Sequence, residues 1–493
     1  MNLAPLLAGI ATPTRDTAVS DVTLDSREVR PGSLFLACRG ARHHGLDFAR
    51  SVAERGAAAI LWEPDAERLP PELPSDIVVT QVPRLAAQAS LIAARFFGLP
   101  SEQLSIAGIT GTNGKTTTAW LLAQALNRCG RRAAYIGTLG AAFAGLEEAG
   151  EFTTPDAVSV QRRLAAFRAQ GAECVAMEVS SHALVQDRVA AVRFDAAVLT
   201  NLTRDHLDYH GSMDAYAAAK ASLFAYQGLR LRVINADDAF GAQLLSLPDF
   251  ADAVATSSRP AFVPRPGAAY LHAHAVELGA RGVAFELASS FGASRIAAPL
   301  VGGFNVDNLL AVAAVLLGSG LSMTETVAAL AGVTAPPGRL ECIGGDGAPL
   351  AVVDYAHTPD ALEKALTALR AHCTGRLWCV FGCGGDRDRG KRPEMGRIAA
   401  RLADRVIVTD DNPRSESPAV IVDEIVAGMH GATVQVIHDR GAAIATALGA
   451  AAPHDVVLIA GKGHEDYQIV GTERRAFSDQ QVARDALRRR GGA

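Results

Sequence analysis

Ile106-Ala107-Gly108-Ile109-Thr110-Gly111-Thr112-Asn113-Gly114-Lys115-Thr116-Thr117-Thr118 opens as an apolar strand and closes as the start of a helix. The glycines between let backbone N–H groups close around a polyphosphate at the positive end of the coming helix. Lys115 is placed to neutralise the β- and γ-phosphates, and Thr116 to offer a hydroxyl to Mg²⁺. Gly111, Thr112, Asn113, Gly114, Lys115, Thr116 and Thr117 are therefore the expected ATP contacts. The strict Walker spacing is not kept, because Ile109 stands where its first glycine belongs. Such a loop serves kinases, ATPases and ligases alike, so the rest of the chain must separate them.

On either side of this stretch the apolar pattern predicts an α/β protein of three domains. After the strand at 104–109, further strands are predicted at 174–179, 194–200 and 232–235, separated by helical patterns, as in a mononucleotide-binding parallel sheet. An apolar run at 309–321 reads as a buried helix, being too short for a bilayer span. Strands at 350–355, 376–382, 405–410, 433–438 and 455–461 alternate with helix-length segments, a doubly wound Rossmann-like pattern. Strand-like pieces at 33–37 and 58–62, between Gly/Pro turns, predict a small N-terminal α/β domain. The boundaries fall at the Leu99-Pro100-Ser101 break and the Ala335-Pro336-Pro337-Gly338 reversal, giving 1–99, 100–335 and 336–493.

Composition excludes some partners. The balance of 47 basic against 52 acidic residues leaves a net charge of −5, so no global field draws nucleic acid or an anionic membrane. Seven scattered cysteines without paired spacing imply reduced thiols and a cytoplasmic location. The N-terminus lacks the basic region of a secretory signal, and no membrane insertion is expected.

Glu178, at the end of one predicted strand, is the leading Mg²⁺ ligand, since ligands sit at the carboxyl edge of open α/β sheets. The next strand delivers Asn201-Leu202-Thr203-Arg204-Asp205-His206, dense in metal- and phosphate-binding groups. His206 alone argues weakly for magnesium, which prefers oxygen, and reads as a hydrogen-bonded structural histidine. Lys220, on a helical stretch, reads as part of a solvated face.

Taken together, residues 110–118, Glu178-Val179-Ser180-Ser181-His182, 200–210, Lys220, Asn305-Val306-Asp307-Asn308, Asp354-Tyr355-Ala356-His357 and Gly461-Lys462-Gly463-His464-Glu465 resemble the motifs of the Mur ligase family, in order and through all three proposed domains. The resemblance implies an ATP- and Mg²⁺-dependent peptide ligase of cell-wall synthesis, with Lys115, Glu178, His206 and Lys220 catalytic. It implies one Mg²⁺ on Thr116 and Glu178, and a second organised by Glu178, His206 and Lys220, the last as a carbamate. Asn305, Asn308, Arg339, Asp354 and His357 are the further nucleotide contacts it implies.

Within the family the sequence is similar to members that extend UDP-N-acetylmuramoyl-L-alanyl-D-glutamate by meso-2,6-diaminopimelate. Leu24, Ser26, Ala41, Arg42 and His43 match a UDP-binding segment, although details of that loop depart from the commonest pattern. Thr153, Thr154, Ser180, Gln186 and Arg188 match the residues that hold the muramoyl dipeptide. Arg387, with Asp411-Asn412-Pro413-Arg414, Gly461 and Glu465, matches the amino-acid site. Diaminopimelate differs from lysine by a distal carboxylate, and an arginine clamp is the chemistry that recognises it. A monomer acting on small molecules is expected. Alternatives at this stage are a lysine-adding or other Mur-like amide ligase, and a P-loop ATPase or kinase. A third reading, an oxidoreductase module at Gly382-Cys383-Gly384-Gly385-Asp386-Arg387, has only a weak signal, because the final glycine of its fingerprint is lacking.

Overall fold

The computed structural model describes residues 1–40, 43–65, 69–143, 146–148, 152–279, 282–345, 347–431 and 433–491. Two compact units emerge, Met1–Ala255 with Arg265–Ala269 and Ala314–Ser319, and Thr256–Pro264 with Tyr270–Ala313 and Gly320–Ala493.

The first unit holds two sheets. Near the N-terminus, Asp21–Thr23, Ser33–Ala37, Ala59–Trp62 and Val78–Gln81 lie side by side in that order, all parallel. Alternate residues of these strands feed opposite faces. Leu34, Leu36, Ala59 and Leu61 pack under the helix Leu85–Phe96, while Phe35, Ala37, Ile60 and Trp62 pack with Ala49 and Val52. In the second sheet Ser105–Thr110 is central, between Ala196–Leu199 and Cys174–Glu178, both later in sequence. Leu231–Asn235 lies beyond the first neighbour and Ala133–Gly137 beyond the second, every pairing parallel. The strand order reverses at Ser105–Thr110, so a crevice opens at the carboxyl ends of these strands, where the glycine-rich loop, Glu178 and Thr200 emerge.

The second unit carries an antiparallel meander, Tyr270–Gly279, Gly282–Ser289 and Gly292–Ala298, which the sequence reading did not anticipate. Its middle strand buries Val283, Phe285 and Leu287 and turns the alternate residues outward, a period-two signal that small residues dilute. The apolar run near 309–321 is indeed helical, as Phe304–Gly318, with Leu309, Leu310, Val312, Ala313, Ala314 and Leu316 all buried. The last third forms a six-stranded sheet ordered Glu341–Gly344, Leu350–Asp354, Val456–Ala460, Leu377–Phe381, Arg405–Val408, Val434–Val436, antiparallel only at the first pair. Val352, Cys379, Phe381 and Leu458 face one layer of helices; Val353, Val380, Ile407 and Ile459 face the other. Every strand predicted from the sequence is present, with ends that coincide or shift by at most two residues.

Candidate active site

Gly111 adopts φ +151°, and a Cβ there would lie 1.9 Å from Thr200 Oγ1, so the phosphate loop needs glycine at this point. The loop is tied to the neighbouring strand end. Thr112 N–H donates to Asn201 O (2.9 Å), Asn113 N–H to Asn201 Oδ1 (2.9 Å), and Thr200 Oγ1 to Asn113 O (2.6 Å). Gly114 (φ +82°) starts the helix Lys115–Arg128, whose first turn includes Thr116 and Thr117 and sets the positive end of the helix at the loop. Lys115 Nζ folds back onto Gly111 O (2.8 Å) and Thr112 O (2.9 Å).

Glu178 is fully buried at the end of its strand and accepts four hydrogen bonds. Tyr135 Oη (2.5 Å) and Thr138 N–H (2.8 Å) donate to Oε1; Thr116 Oγ1 (3.0 Å) and Thr138 Oγ1 (3.2 Å) donate to Oε2. Thr116 and Glu178 thus meet directly, and a hydroxyl beside a carboxylate is the hard-oxygen set Mg²⁺ takes. Sequence reading missed Tyr135, in the middle of the next parallel strand Ala133–Gly137, and Thr138 just past its carboxyl end, the place to look in such a sheet. Tyr135→Phe is expected to cost about 1–3 kcal/mol of stability and to lower kcat about tenfold, read from thermal unfolding and initial rates.

Lys220 corrects its sequence reading. It is 1% exposed instead of solvated, and its Nζ donates to the same Gly111 carbonyl (2.8 Å) that accepts from Lys115, lying 4.5 Å over the Tyr216 ring. Burial, then the Lys115 cation, pull its pKa down to about 6, leaving a neutral amine at pH 7. His206 stands on the open side with a side chain 45% exposed, in a left-handed conformation (φ +53°), 3.5 Å from Asp205 and facing the His182 ring at 4.9 Å. Among the described residues no three His, Cys, Asp or Glu side chains gather to hold a metal. The structure brings Thr116 to Glu178 and Lys220 to the loop, but gives His206 no direct contact with either.

The residues expected at the muramoyl dipeptide converge on the same crevice. Thr154 Oγ1 donates to Glu178 O (2.8 Å) and accepts from Ser180 N–H (3.0 Å), while Arg188 Nη1 donates to Thr154 O (2.8 Å). Gln186 Oε1 accepts from Arg188 Nε (2.9 Å), the Thr153 and Thr138 hydroxyl oxygens lie 3.2 Å apart, and Ser180 caps the helix Ser181–Val185. Burial pulls the Arg188 guanidinium below its usual range, which favours an anionic partner. Leu24 and Ser26 are half-buried in the turn after Asp21–Thr23, and His43 is exposed, edge-on to Phe48. Ala41 and Arg42 lie outside the described residues.

The second unit contributes its own polar groups. Asn305 and Asn308 are buried: Asn305 Nδ2 donates to Val301 O (2.7 Å), and Asn308 Nδ2 to Asn305 Oδ1 (2.8 Å). Asp354 accepts from Leu340 N–H (2.8 Å), and burial pushes its carboxyl up to about 6. Arg339 lies over the Tyr355 ring at 5.2 Å, and His357 is exposed beside the same ring, Nδ1 2.8 Å from Tyr355 O.

Around Gly461 several of the residues expected to hold the amino acid come together. A Cβ on Gly461 (φ +120°) would lie 2.6 Å from Asp411 Oδ2, so this glycine lets the loop close on a buried carboxylate. Asn412 Nδ2 (2.9 Å) and Lys462 Nζ (3.0 Å) both donate to Glu465 Oε2, and Lys462 also reaches Asn412 Oδ1 (3.1 Å). Fully buried Lys462 was not foreseen; its place inside a glycine-flanked turn is the signal that points to it. Pro413 is buried with its carbonyl against Gly385. Arg414 Nη1 donates to Gly385 O (2.8 Å). Arg414 and Arg387 border one glycine: a Cβ on Gly384 would lie 2.9 Å from Arg414 Nη1 and 3.7 Å from Arg387 Cγ. Arg387 is exposed and Arg414 half-buried, and the side-chain stem of the first and the guanidinium of the second border the Gly384 backbone.

Comparison with known proteins identifies the family. Family models for the Mur ligase family catalytic domain, the Mur ligase middle domain and the Mur ligase glutamate ligase domain match residues 18–103, 109–316 and 338–463. A Pseudomonas aeruginosa protein named UDP-N-acetylmuramoyl-L-alanyl-D-glutamate--2,6-diaminopimelate ligase is 50% identical over 475 residues, 96% of this chain and 96% of that protein. One of the same name from Xanthomonas campestris is 49% identical, covering 100% of this chain and 98% of its own length. A solved structure of a ligase of that name is 34% identical, covering 96% of this chain and 95% of its own, with a TM-score of 0.72. With about half of its residues shared over nearly its whole length, and all three segments matched in order, this chain belongs to the Mur ligase family.

Proposed function

We propose that the chain is the ATP-dependent ligase that joins meso-2,6-diaminopimelate to the D-glutamyl carboxylate of UDP-N-acetylmuramoyl-L-alanyl-D-glutamate, in peptidoglycan precursor synthesis. The observation that carries the choice of amino acid is Arg414, held by Gly385 O beside the bare backbone of Gly384, with the stem of exposed Arg387 against the same glycine, a cationic pair suited to a distal carboxylate. The names of its close relatives support the same substrates.

The loop N–H groups and Lys115 hold the ATP phosphates. Arg188, Thr154 and Ser180 orient the muramoyl dipeptide next to them, at a backbone shared with Glu178. Mg²⁺, held by Thr116 and Glu178, would supply charge stabilisation at the transferring phosphoryl group. The glutamyl carboxylate oxygen forms a bond to the γ-phosphorus as its bond to the bridging oxygen breaks, giving an acyl phosphate and ADP. The free amine then attacks the acyl carbon, loses a proton, and the adduct collapses with phosphate leaving and the amide formed. Lys220, neutral and buried at the loop, is the amine suited to react with CO₂; as a carbamate it would become an oxygen donor. His206, exposed on the open side, would be a further ligand to a second Mg²⁺. Asn305, Asn308, Arg339, Asp354 and His357 serve the nucleotide; Asp411, Asn412, Gly461 and Glu465 serve the amino acid, Glu465 accepting from an ammonium. The reaction is read as that of a monomer in the cytoplasm, where the seven free thiols stay reduced. Among the described residues no helix is long and apolar enough to cross a membrane.

Arg414→Ala is expected to raise KM for diaminopimelate by about 30-fold or more while leaving KM for ATP within about twofold, since one charge-assisted carboxylate contact is lost. Steady-state kinetics with each substrate varied in turn decides it, and an unchanged KM for diaminopimelate would remove the clamp from the account.

A further inference from the structure

His372, in the turn after the helix Pro359–Arg370, is outside every motif assigned above, yet the residue is 2% exposed and its ring is bonded at both nitrogens. Nε2 is 2.8 Å from the Gly302 nitrogen and Nδ1 is 2.8 Å from Gly279 O. A backbone N–H only donates and a carbonyl only accepts, so these partners fix one tautomer: the proton sits on Nδ1, and Nε2 offers its lone pair to Gly302.

Gly302 is the point where the chain turns into the helix Phe304–Gly318. Its φ is +94°, and a Cβ there would strike the Phe304 ring at 2.7 Å, so the turn depends on glycine. The residue before it, Val301, is buried in the same apolar core as Leu362, Leu366 and Leu369 of the helix that His372 follows. The Val301 carbonyl accepts from Asn305, which in turn accepts from Asn308. Three links therefore run in series from His372 through the Gly302 turn to the two asparagines.

We propose that His372 is a positioning residue for nucleotide binding: its Nε2 lone pair holds Gly302 and so sets the helix start that presents Asn305 and Asn308. The inference rests on the reading of those asparagines as nucleotide contacts. Two conservative variants separate the two hydrogen bonds. In His372→Gln the amide oxygen reaches the Nε2 position and goes on accepting from Gly302. In His372→Asn the shorter amide keeps the bond to Gly279 and loses the one to Gly302.

His372→Asn is expected to raise KM for ATP about tenfold, with KM for the other two substrates and kcat within about twofold. His372→Gln is expected to stay within about twofold of the unaltered enzyme throughout. Equal effects of the two variants, or a uniform rise in all three KM values, would overturn the proposal. Asn308→Ala is the control: if it raises KM for ATP while His372→Asn does not, the positioning role falls and the nucleotide reading stands; if neither changes it, both fall. Should His372→Asn fail to fold, hydrogen exchange in the unaltered protein replaces it. ADP is then expected to slow exchange at the Gly302 amide at least threefold, and no change would overturn the proposal.

Discussion

Glu178→Ala is expected to lower kcat/KM by about a thousandfold or more and to destabilise the protein at the same time. The two effects have one cause. The carboxylate accepts from Tyr135, Thr116, and both the N–H and hydroxyl of Thr138, all at a fully buried position. Removing it leaves buried donors without an acceptor, which costs about 1–3 kcal/mol for each that finds no substitute. It also removes the charged member of the Thr116–Glu178 pair beside the phosphate loop, and losing a preorganised charge at phosphoryl transfer costs several kcal/mol of transition-state stabilisation. Glu178→Gln separates the two. It keeps the shape and one acceptor oxygen, so thermal stability should recover by half or more while turnover stays about a hundredfold down. Phosphate-release rates and thermal unfolding of both variants check this, and turnover within about tenfold of the unaltered enzyme in Glu178→Ala would remove the glutamate from the mechanism.

Lys220→Met is expected to do the opposite to stability: turnover falls about a hundredfold or more, yet the folded state gains. Burial and Lys115 hold the Lys220 amine near a pKa of about 6, against 10.5 for an ordinary lysine. Between those values the unfolded chain binds a proton that the native state does not, so stability rises as pH is raised through this window, and the cost is largest below about 6. At neutral pH the cost is on the order of a few kcal/mol, and a methionine of similar length escapes it. The Gly111 carbonyl that Lys220 would abandon still accepts from Lys115. Chemical denaturation from pH 6 to 9 should therefore show a rising stability in the unaltered protein that is flatter in the variant. A variant that is less stable at pH 7, or that keeps full activity, would contradict the assignment.

How far the sequence reached depended on the kind of signal. Parallel strands buried on both faces are continuous apolar runs, which is why 105–110, 174–178 and 456–460 were legible. The meander at 270–298 was not, because its half-buried strands alternate with His, Glu, Ser and Gly, and a bulge between His274 and Glu277 breaks the register. Motif residues were found where glycine and charge cluster, as at Gly111–Lys115 and Gly461–Glu465. Residues acting through them were missed: Tyr135 and His372 sit amid ordinary helix and strand patterns, and their roles arise from contacts with partners 43 and 70 residues away. Lys220 shows the reverse limit. A helical lysine reads as solvated, and only the fold reveals that Tyr216 and the phosphate loop enclose it.

The most direct test of the account is acceptor-dependent phosphate release by the unaltered enzyme. ATP, Mg²⁺ and UDP-N-acetylmuramoyl-L-alanyl-D-glutamate would be supplied with meso-diaminopimelate, with L-lysine, or with no amine, and the product mass recorded. The account predicts sustained release with diaminopimelate, a product heavier by one diaminopimelate residue, and rates at least a hundredfold lower in the other two mixtures. Equal turnover with lysine, or rapid phosphate release without any amine, would contradict it.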